Sequence, residues 1–188
     1  VVEKMKLETE KLILREWKQG DQKDSIKGLN NLNVTKWLLL VPYPYTRKDA
    51  NWWIKHCIEG YNKKKREKYQ FAMELKEKKE VIGGIGIDKV DKLQGKASVG
   101  YWIAEPYWNK GYGSEALNEI LKFAFDKLKL RRIEAGVFAG NPSSGKLLEK
   151  FGAKLEGTKR KSCVCKADGK IKDELFYGLL KEEWRSLK

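Results

Sequence analysis

Between Tyr69 and Ala104 three extended runs follow one another, separated only by short charged turns at Lys76 to Glu80 and Asp91 to Lys96. In the first, Tyr69, Phe71, Met73 and Leu75 alternate with Gln70, Ala72 and Glu74, the period of a half-buried strand. The second, Val81 to Val90, is apolar but holds Gly83, Gly84 and Gly86, which inside a strand mark a bulge or a backbone passing close by. Ser98 to Ala104 forms the third. Turns this short join antiparallel neighbours, because parallel neighbours need a crossover of about a dozen residues. An all-parallel sheet is therefore excluded, and with the helical segments elsewhere the class is α+β.

On the N-terminal side, Leu12 and Leu14 alternate with Ile13 and Arg15 in a first strand. Asp21 is the expected cap of a helix running to about Asn31, and Thr46 caps a second helix carrying Ala50, Trp53, Ile54, Cys57, Ile58 and Tyr61 at helical spacing. Between them lies Val41-Pro42-Tyr43-Pro44-Tyr45, a proline-stiffened aromatic loop suited to walling an acceptor cleft. Trp52 and Trp53 cannot both face inward on one helix, so one of them is a further candidate for that wall. On the C-terminal side, Leu117, Ile120, Leu121, Ala124, Phe125 and Leu128 form one stripe, predicting a helix from Ser114 to about Lys129. Arg132 to Phe138 reads as a strand, and Asn141-Pro142-Ser143 opens a short helix that Gly152 ends. A hairpin with arms near Thr158 to Cys165 and Ile171 to Leu180 turns at Asp168-Gly169. With no internal repeat or linker, residues 1–188 are expected to form one domain.

Lysine and arginine outnumber aspartate and glutamate 40 to 26, a net charge of +14. Such a chain attracts polyanions: nucleic acid, an anionic membrane surface or a phosphate-rich small molecule, unless the lysines only solubilise the exterior. Cys57, Cys163 and Cys165 show no zinc-ligand spacing, and His56 is the single histidine, so no metal is expected. Cys163 and Cys165 read as packing residues on one strand face in a reducing compartment. No run of roughly 18 apolar residues occurs, which predicts a cytoplasmic protein with no membrane partner.

Three glycine-rich segments compete as phosphate sites. Gly111-Tyr112-Gly113-Ser114-Glu115-Ala116 matches G-x-G-x-x-A, but Glu105 to Lys110 separate it from the preceding strand and the next strand lacks a terminal acid, which disfavours a nicotinamide fold. Gly140 to Lys146 has the spacing G-x-x-x-x-G-K, but Leu147 stands where magnesium needs a hydroxyl and Pro142 removes an N–H. Gly83-Gly84-Ile85-Gly86 sits within a strand. What remains is a glycine turn at a helix start, where Asn109 to Ser114 offer successive amides to an anion; an ordinary loop–helix junction is the alternative.

The segment Pro106-Tyr107-Trp108-Asn109-Lys110-Gly111-Tyr112-Gly113-Ser114-Glu115-Ala116-Leu117 resembles the acetyl-CoA-binding motif of the GNAT N-acetyltransferases, specifically the RimJ/RimL-like branch that acetylates ribosomal-protein N-termini. Leu7 to Arg15, Val99 to Ile103, Asn141 to Gly152 and Asp173 to Trp184 resemble further segments of that branch, so the likeness runs from Leu7 to Trp184. Trp108 replaces the charged or amide side chain usual three places before the first glycine, and is expected to pack. The resemblance implies the GNAT acyl-CoA N-acyltransferase fold, a central mostly antiparallel mixed sheet flanked by helices, with acetyl-CoA as cosubstrate.

Carried onto this sequence, it implies that Trp102, Ile103 and Ala104 pair their backbone with the pantetheine arm. Asn109, Lys110, Gly111, Tyr112, Gly113 and Ser114 would hold the pyrophosphate, with Lys146 near the nucleotide phosphates. Asn141 would bind the pantetheine region, and Ser144 would donate to the departing sulfur. Glu74 is the candidate for orienting or deprotonating the amine, against the plainer reading of a solvated carboxylate. Main-chain N–H groups near Ile103 and Ala104 are the candidate oxyanion donors. The implied acceptor is a protein N-terminal α-amino group, with possible ribosome association and a monomeric or homodimeric state. A polyamine, aminoglycoside or amino acid is the nearer alternative acceptor. A basic RNA- or ribosome-binding module using Lys159, Arg160, Lys161, Lys166, Lys170 and Lys172 is the rival class.

Overall fold

A computed structural model of the chain describes residues 5–63 and 66–185. The elements are β1 (Lys6–Glu8), β2 (Leu12–Glu16), α1 (Gln22–Leu29), α2 (Leu32–Thr35), α3 (Arg47–Tyr61), β3 (Tyr69–Leu75), β4 (Glu80–Asp91), β5 (Lys96–Ile103), α4 (Tyr112–Lys122), β6 (Arg132–Phe138), α5 (Pro142–Lys150), β7 (Lys154–Val164) and β8 (Ile171–Leu180). Eight strands form one sheet in the order β1-β2-β3-β4-β5-β6-β8-β7. Every neighbouring pair is antiparallel except β5 and β6, which are parallel and joined through α4. The antiparallel β3-β4-β5 centre is what the short turns required, and the mixed α+β sheet is what the family resemblance implied, extended by the brief β1.

Side-chain alternation divides the core between the two sheet faces. On one face Phe71, Met73, Ile85, Val99, Ile133 and Val137 pack with Leu117, Ile120 and Leu121 of α4. On the other, Trp17, Ala72 and Val81 pack with Ile54 and Cys57 of α3. The glycines of β4 serve close approach: a Cβ on Gly84 would lie 2.7 Å from the Trp102 indole nitrogen, and one on Gly28 of α1 would lie 2.7 Å from the same indole. The β3–β4 register shifts between Met73 and Glu74, which face Gly83 and Val81, so the extra residue, Ile82, belongs to β4.

Thr46 caps α3 as expected, in a capping box with Asp49. Asp21 stands at the start of α1, but its side chain does not cap the helix. Its carboxylate receives both terminal nitrogens of Arg15, at 2.8 and 2.9 Å, because a desolvated guanidinium binds it more strongly than a neutral amide does. The helix expected to reach Lys129 stays α-helical only to Lys122, and Phe123–Lys127 forms a π turn closed by the Leu128 N–H to Phe123 carbonyl bond. Cys163 and Cys165 do not form a pair on one strand face. Cys163 is half-buried in β7, whereas Cys165 lies beyond the strand end, fully buried, its thiol directed at the carbonyls of Lys36 and Leu38. Among the described residues no helix is long and apolar enough to cross a membrane.

Candidate active site

β5 and β6 pair only where Lys96, Ala97 and Ser98 face Arg132, Ile133 and Glu134. Beyond Ser98 the strands part, and a cleft of about 710 Å³ opens between Val99 to Ile103 and Ala135 to Val137. Parted strands present main-chain groups that need partners. The Ala104 N–H donates to the Ile82 carbonyl at 2.9 Å, which fixes the parity of the β4–β5 ladder. Alternation then turns the amides of Trp102 and Gly100 toward β4, and those of Ile103, Tyr101 and Val99 into the gap. The expected trio is corrected on this point: Trp102 and Ile103 line the cleft, but the Ala104 amide is consumed by β4 and Ile103 is the member whose amide faces the opening.

The turn before α4 is built from two left-handed residues, Asn109 (φ 59) and Gly111 (φ 85), on either side of Lys110. They fold the chain back so that α4 starts at the cleft, where the first-turn amides have no helical acceptor. No atom lies within 4 Å of a Cβ built on Gly111, so that glycine answers to conformation. A Cβ on Gly113 would lie 3.3 Å from both Ile103 and Leu147, so that one answers to space. Trp108 does more than pack: its Nε1 donates to the Ile103 carbonyl at 2.7 Å and ties the turn to the end of β5. The Glu115 carboxylate accepts from the Lys11 N–H at 2.6 Å and anchors the first turn of α4 to the β1–β2 turn. Lys110, Lys146 and Lys150 line the same end of the cleft, with the Lys150 ammonium 3.2 Å from the Ser114 hydroxyl.

At the opposite wall Asn141 caps α5 by accepting the Ser144 N–H at 3.4 Å. Ser144 Oγ lies 2.9 Å from the Tyr101 hydroxyl. Burial pushes the Tyr101 phenol up to about 12, with the Ser144 hydrogen bond pulling the other way, so the phenol keeps its proton at neutral pH. The sequence reading missed Tyr101. It alternates with Val99 and Ile103 as any core residue would, and only its need for a polar partner when buried set it apart.

Glu74 is not brought to the cleft. Its carboxylate accepts from Arg15 Nε at 2.7 Å, in the brace that also holds Asp21, and it lines neither cavity described here. The proline-rich loop and Trp52 and Trp53 are absent from those linings as well. Tyr45 is buried against Leu29, Val34 and Ala50, Trp53 packs beside Ile54, and the exposed Trp52 stacks on His56. The wall is supplied upstream by Trp37, Leu38 and Leu39. The β7–β8 hairpin holds this strap through the Lys166 N–H to the Leu39 carbonyl (3.2 Å) and through Lys172, whose ammonium donates to the Lys36 carbonyl. Lys172 also lies 5.5 Å from the Trp37 ring and 5.0 Å from that of Phe138, and pairs with Asp168 at 3.1 Å. It is therefore an internal clamp and not one of the solvent-facing basic residues of the hairpin.

A second cavity, of about 640 Å³, is lined by Trp37, Phe138, Phe176, Glu134, Glu174 and Lys159 among others. The polar set of β6 and β8 lies here, while Ile133, Val137, Tyr177 and Leu179 go to the core on the α4 face. Trp37, Leu39, Ala135 and Gly136 border both cavities, which therefore meet back to back where β5 and β6 part.

A family profile described as an acetyltransferase (GNAT) domain matches residues 11–154. The uncharacterized N-acetyltransferase p20 of Bacillus licheniformis is 32% identical over 180 residues, covering 95% of this chain and 97% of that one. The ribosomal-protein-serine acetyltransferase of Escherichia coli (strain K12) is 31% identical over 78 residues, 42% of this chain and 44% of that one. The crystal structure of a GNAT-family acetyltransferase from Bacillus anthracis superimposes with a TM-score of 0.81 at 25% identity, covering 95% of this chain and 100% of that one.

Proposed function

We propose, on the premise that this chain belongs to the GNAT acetyltransferase family, that it carries acetyl from acetyl-CoA to the α-amino group of a protein N-terminus. The bound cosubstrate supplies an acyl group activated as a thioester. The first-turn amides of α4, with Lys110, Lys146 and Lys150, suit its pyrophosphate, and the open space at Gly111 lets phosphate approach main chain. The gap-facing amides of Tyr101 and Ile103 pair with the pantetheine arm as an added strand would, and one of them steadies the carbonyl oxygen as charge develops. Ser144, fixed by Asn141 and Tyr101, donates to the departing sulfur, and Tyr101 supplies the proton behind it.

The observation that carries this reading is the shared border at Trp37, Leu39, Ala135 and Gly136. A thioester laid along one face and an amine entering from the other meet in the opening between β5 and β6. An N-terminal amine is the acceptor more readily brought to its reactive neutral form: at pH 7 an α-amino group is about 10 to 20% neutral, a lysine only about 0.04%. The similarity to the ribosomal-protein-serine acetyltransferase of Escherichia coli supports the same acceptor.

The test is incubation with acetyl-CoA and four classes of amine: N-terminal peptides, lysine peptides with blocked N-termini, spermidine and an aminoglycoside. Mass spectrometry should find acetyl on the peptide α-nitrogen. Acetylation of the small amines with none on N-terminal peptides would replace this acceptor.

A further inference from the structure

Taking the second cavity as the acceptor side, we infer that Glu174 receives the acceptor's ammonium and takes its proton, and that Lys89, Lys96 and Lys159 select acceptors negatively charged just beyond the amine. Glu174 sits on β8 opposite Phe138 of β6 and Lys159 of β7, so two strand neighbours fix its position. Its side chain lies over Gly136, where an added Cβ would collide with a carboxylate oxygen. Gly136 borders both cavities, which puts this carboxylate at the passage between them. The other carboxylate of the cavity, Glu134, is already held by Arg132 at 2.9 Å and Lys96 at 3.7 Å. Among the described residues Glu174 has one ion-pair partner, the Lys159 ammonium at 3.4 Å, on a side chain 57% exposed. A solvated lysine holds such a partner weakly and gives way to an incoming ammonium.

Lys89 reaches the cavity by local irregularity, while Lys96 and Lys159 stand in regular register with Asp91 and Glu174. The β4–β5 register shifts between Asp88 and Asp91, and within that bulge Lys89 takes φ 53, a left-handed conformation that a non-glycine residue adopts only at a cost. The β7–β8 register shifts between Lys159 and Cys163, again beside the cavity, with Lys161 at φ 49 and its N–H bonded to Asp173 at 2.7 Å. Three ammonium groups therefore face two carboxylates, and because Lys96 shares Glu134 with Arg132 the lining keeps an excess of positive charge. Such a rim repels a polyamine and attracts a peptide with acidic residues after its first, whose leading side chain meets the rings of Trp37, Phe138 and Phe176.

The step balances. One proton passes from the ammonium to the Glu174 carboxylate, the amine lone pair forms the C–N bond, and the C–S bond breaks. The second proton lost by nitrogen ends on the thiol, and Glu174 returns its proton to solvent.

The experiment compares the wild type, Glu174→Gln and Lys89→Glu on peptides that share a first residue and carry Asp, Ser or Lys at positions two to four, with spermidine as a further acceptor. The wild type should favour the Asp peptide over the Lys peptide by about tenfold or more in kcat/KM at low salt, and the gap should narrow as salt screens the rim. Lys89→Glu should move the preference toward the Lys peptide. Glu174→Gln should lower kcat/KM by about 100-fold on every peptide, with CoA affinity by calorimetry unchanged. Wild-type rates in Glu174→Gln, or preference for the Lys peptide or spermidine, would overturn this assignment and leave the acetyltransferase reading standing. Failure to bind CoA, or to acetylate any amine, would bring down both.

Discussion

Gly111 and Gly113 stand two residues apart in one turn and are glycine for different reasons, so their variants should fail differently. Gly111 needs φ 85 in open space, so Gly111→Val forces a β-branched residue into the left-handed region at a cost on the order of 1–2 kcal/mol or more. The turn should refold, and calorimetry should find CoA bound at least about tenfold more weakly. Gly113→Ala adds a methyl 3.3 Å from Ile103 and Leu147, both side chains able to yield a little, and should cost less. Equal losses would contradict the distinction. Ser144 and Tyr101 should act as a unit through their 2.9 Å contact. Tyr101→Phe and Ser144→Ala should each lower kcat by about 10- to 100-fold with the KM for acetyl-CoA little moved, and the double variant should lose less than the product. Multiplicative losses in single-turnover rates would separate them. The glycine turn was legible as a candidate because a phosphate site imposes a main-chain pattern on sequence, whereas Ser144 was reached only through the family resemblance. Tyr101 and Glu174 were not legible, since in alternating strands a catalytic side chain is spaced like any other and its neighbours come from distant strands.

Local signals read well wherever local chemistry decided. Thr46 and Asp49 satisfy each other's backbone within four residues, and Thr46→Ala should cost about 1 kcal/mol in urea unfolding. Asp21 carries a comparable signal, but Arg15 reaches it from β2, a partner sequence spacing does not reveal. The β7–β8 hairpin gives a pH-dependent counterpart. Burial works against the Asp168 charge, but the Lys170 N–H, Lys172 and the Cys165 thiol outweigh it and hold the carboxyl down to about 2. An unfolded aspartate titrates near 3.9. A depressed folded value stabilises the native state above the unfolded one, and that contribution fades as pH falls from about 4 through about 2. Asp168→Asn should therefore be less stable than the wild type at pH 7 and nearly equal to it at pH 2; a constant difference across that range would exclude the mechanism. Because the same hairpin holds the Trp37 to Leu39 strap, the acceptor wall should loosen with it.

At the scale of the whole molecule, the α+β class and the antiparallel centre of the sheet were legible because successive short turns exclude an all-parallel sheet. Its rupture was not. Ser98 and Val99 carry nothing that announces where pairing with β6 stops; the break shows only in the pairing itself, which ends at Ser98 and Glu134, and in the residues that line the cleft beyond it. On the proposed reading that rupture lets one sheet serve two substrates on opposite faces, and Gly136 tests the arrangement directly. A valine there projects toward Glu174 and fills the passage while leaving the α4 turn, Lys146 and Ser144 untouched. If thioester and amine meet through this opening, Gly136→Val should retain CoA affinity within a few-fold and lose acetyl transfer by about 100-fold or more, as reacting atoms kept beyond near-attack distance do. If both substrates instead entered from the CoA side, the valine would leave turnover close to wild type, and steady-state rates beside a CoA titration on the same folded sample distinguish the two geometries.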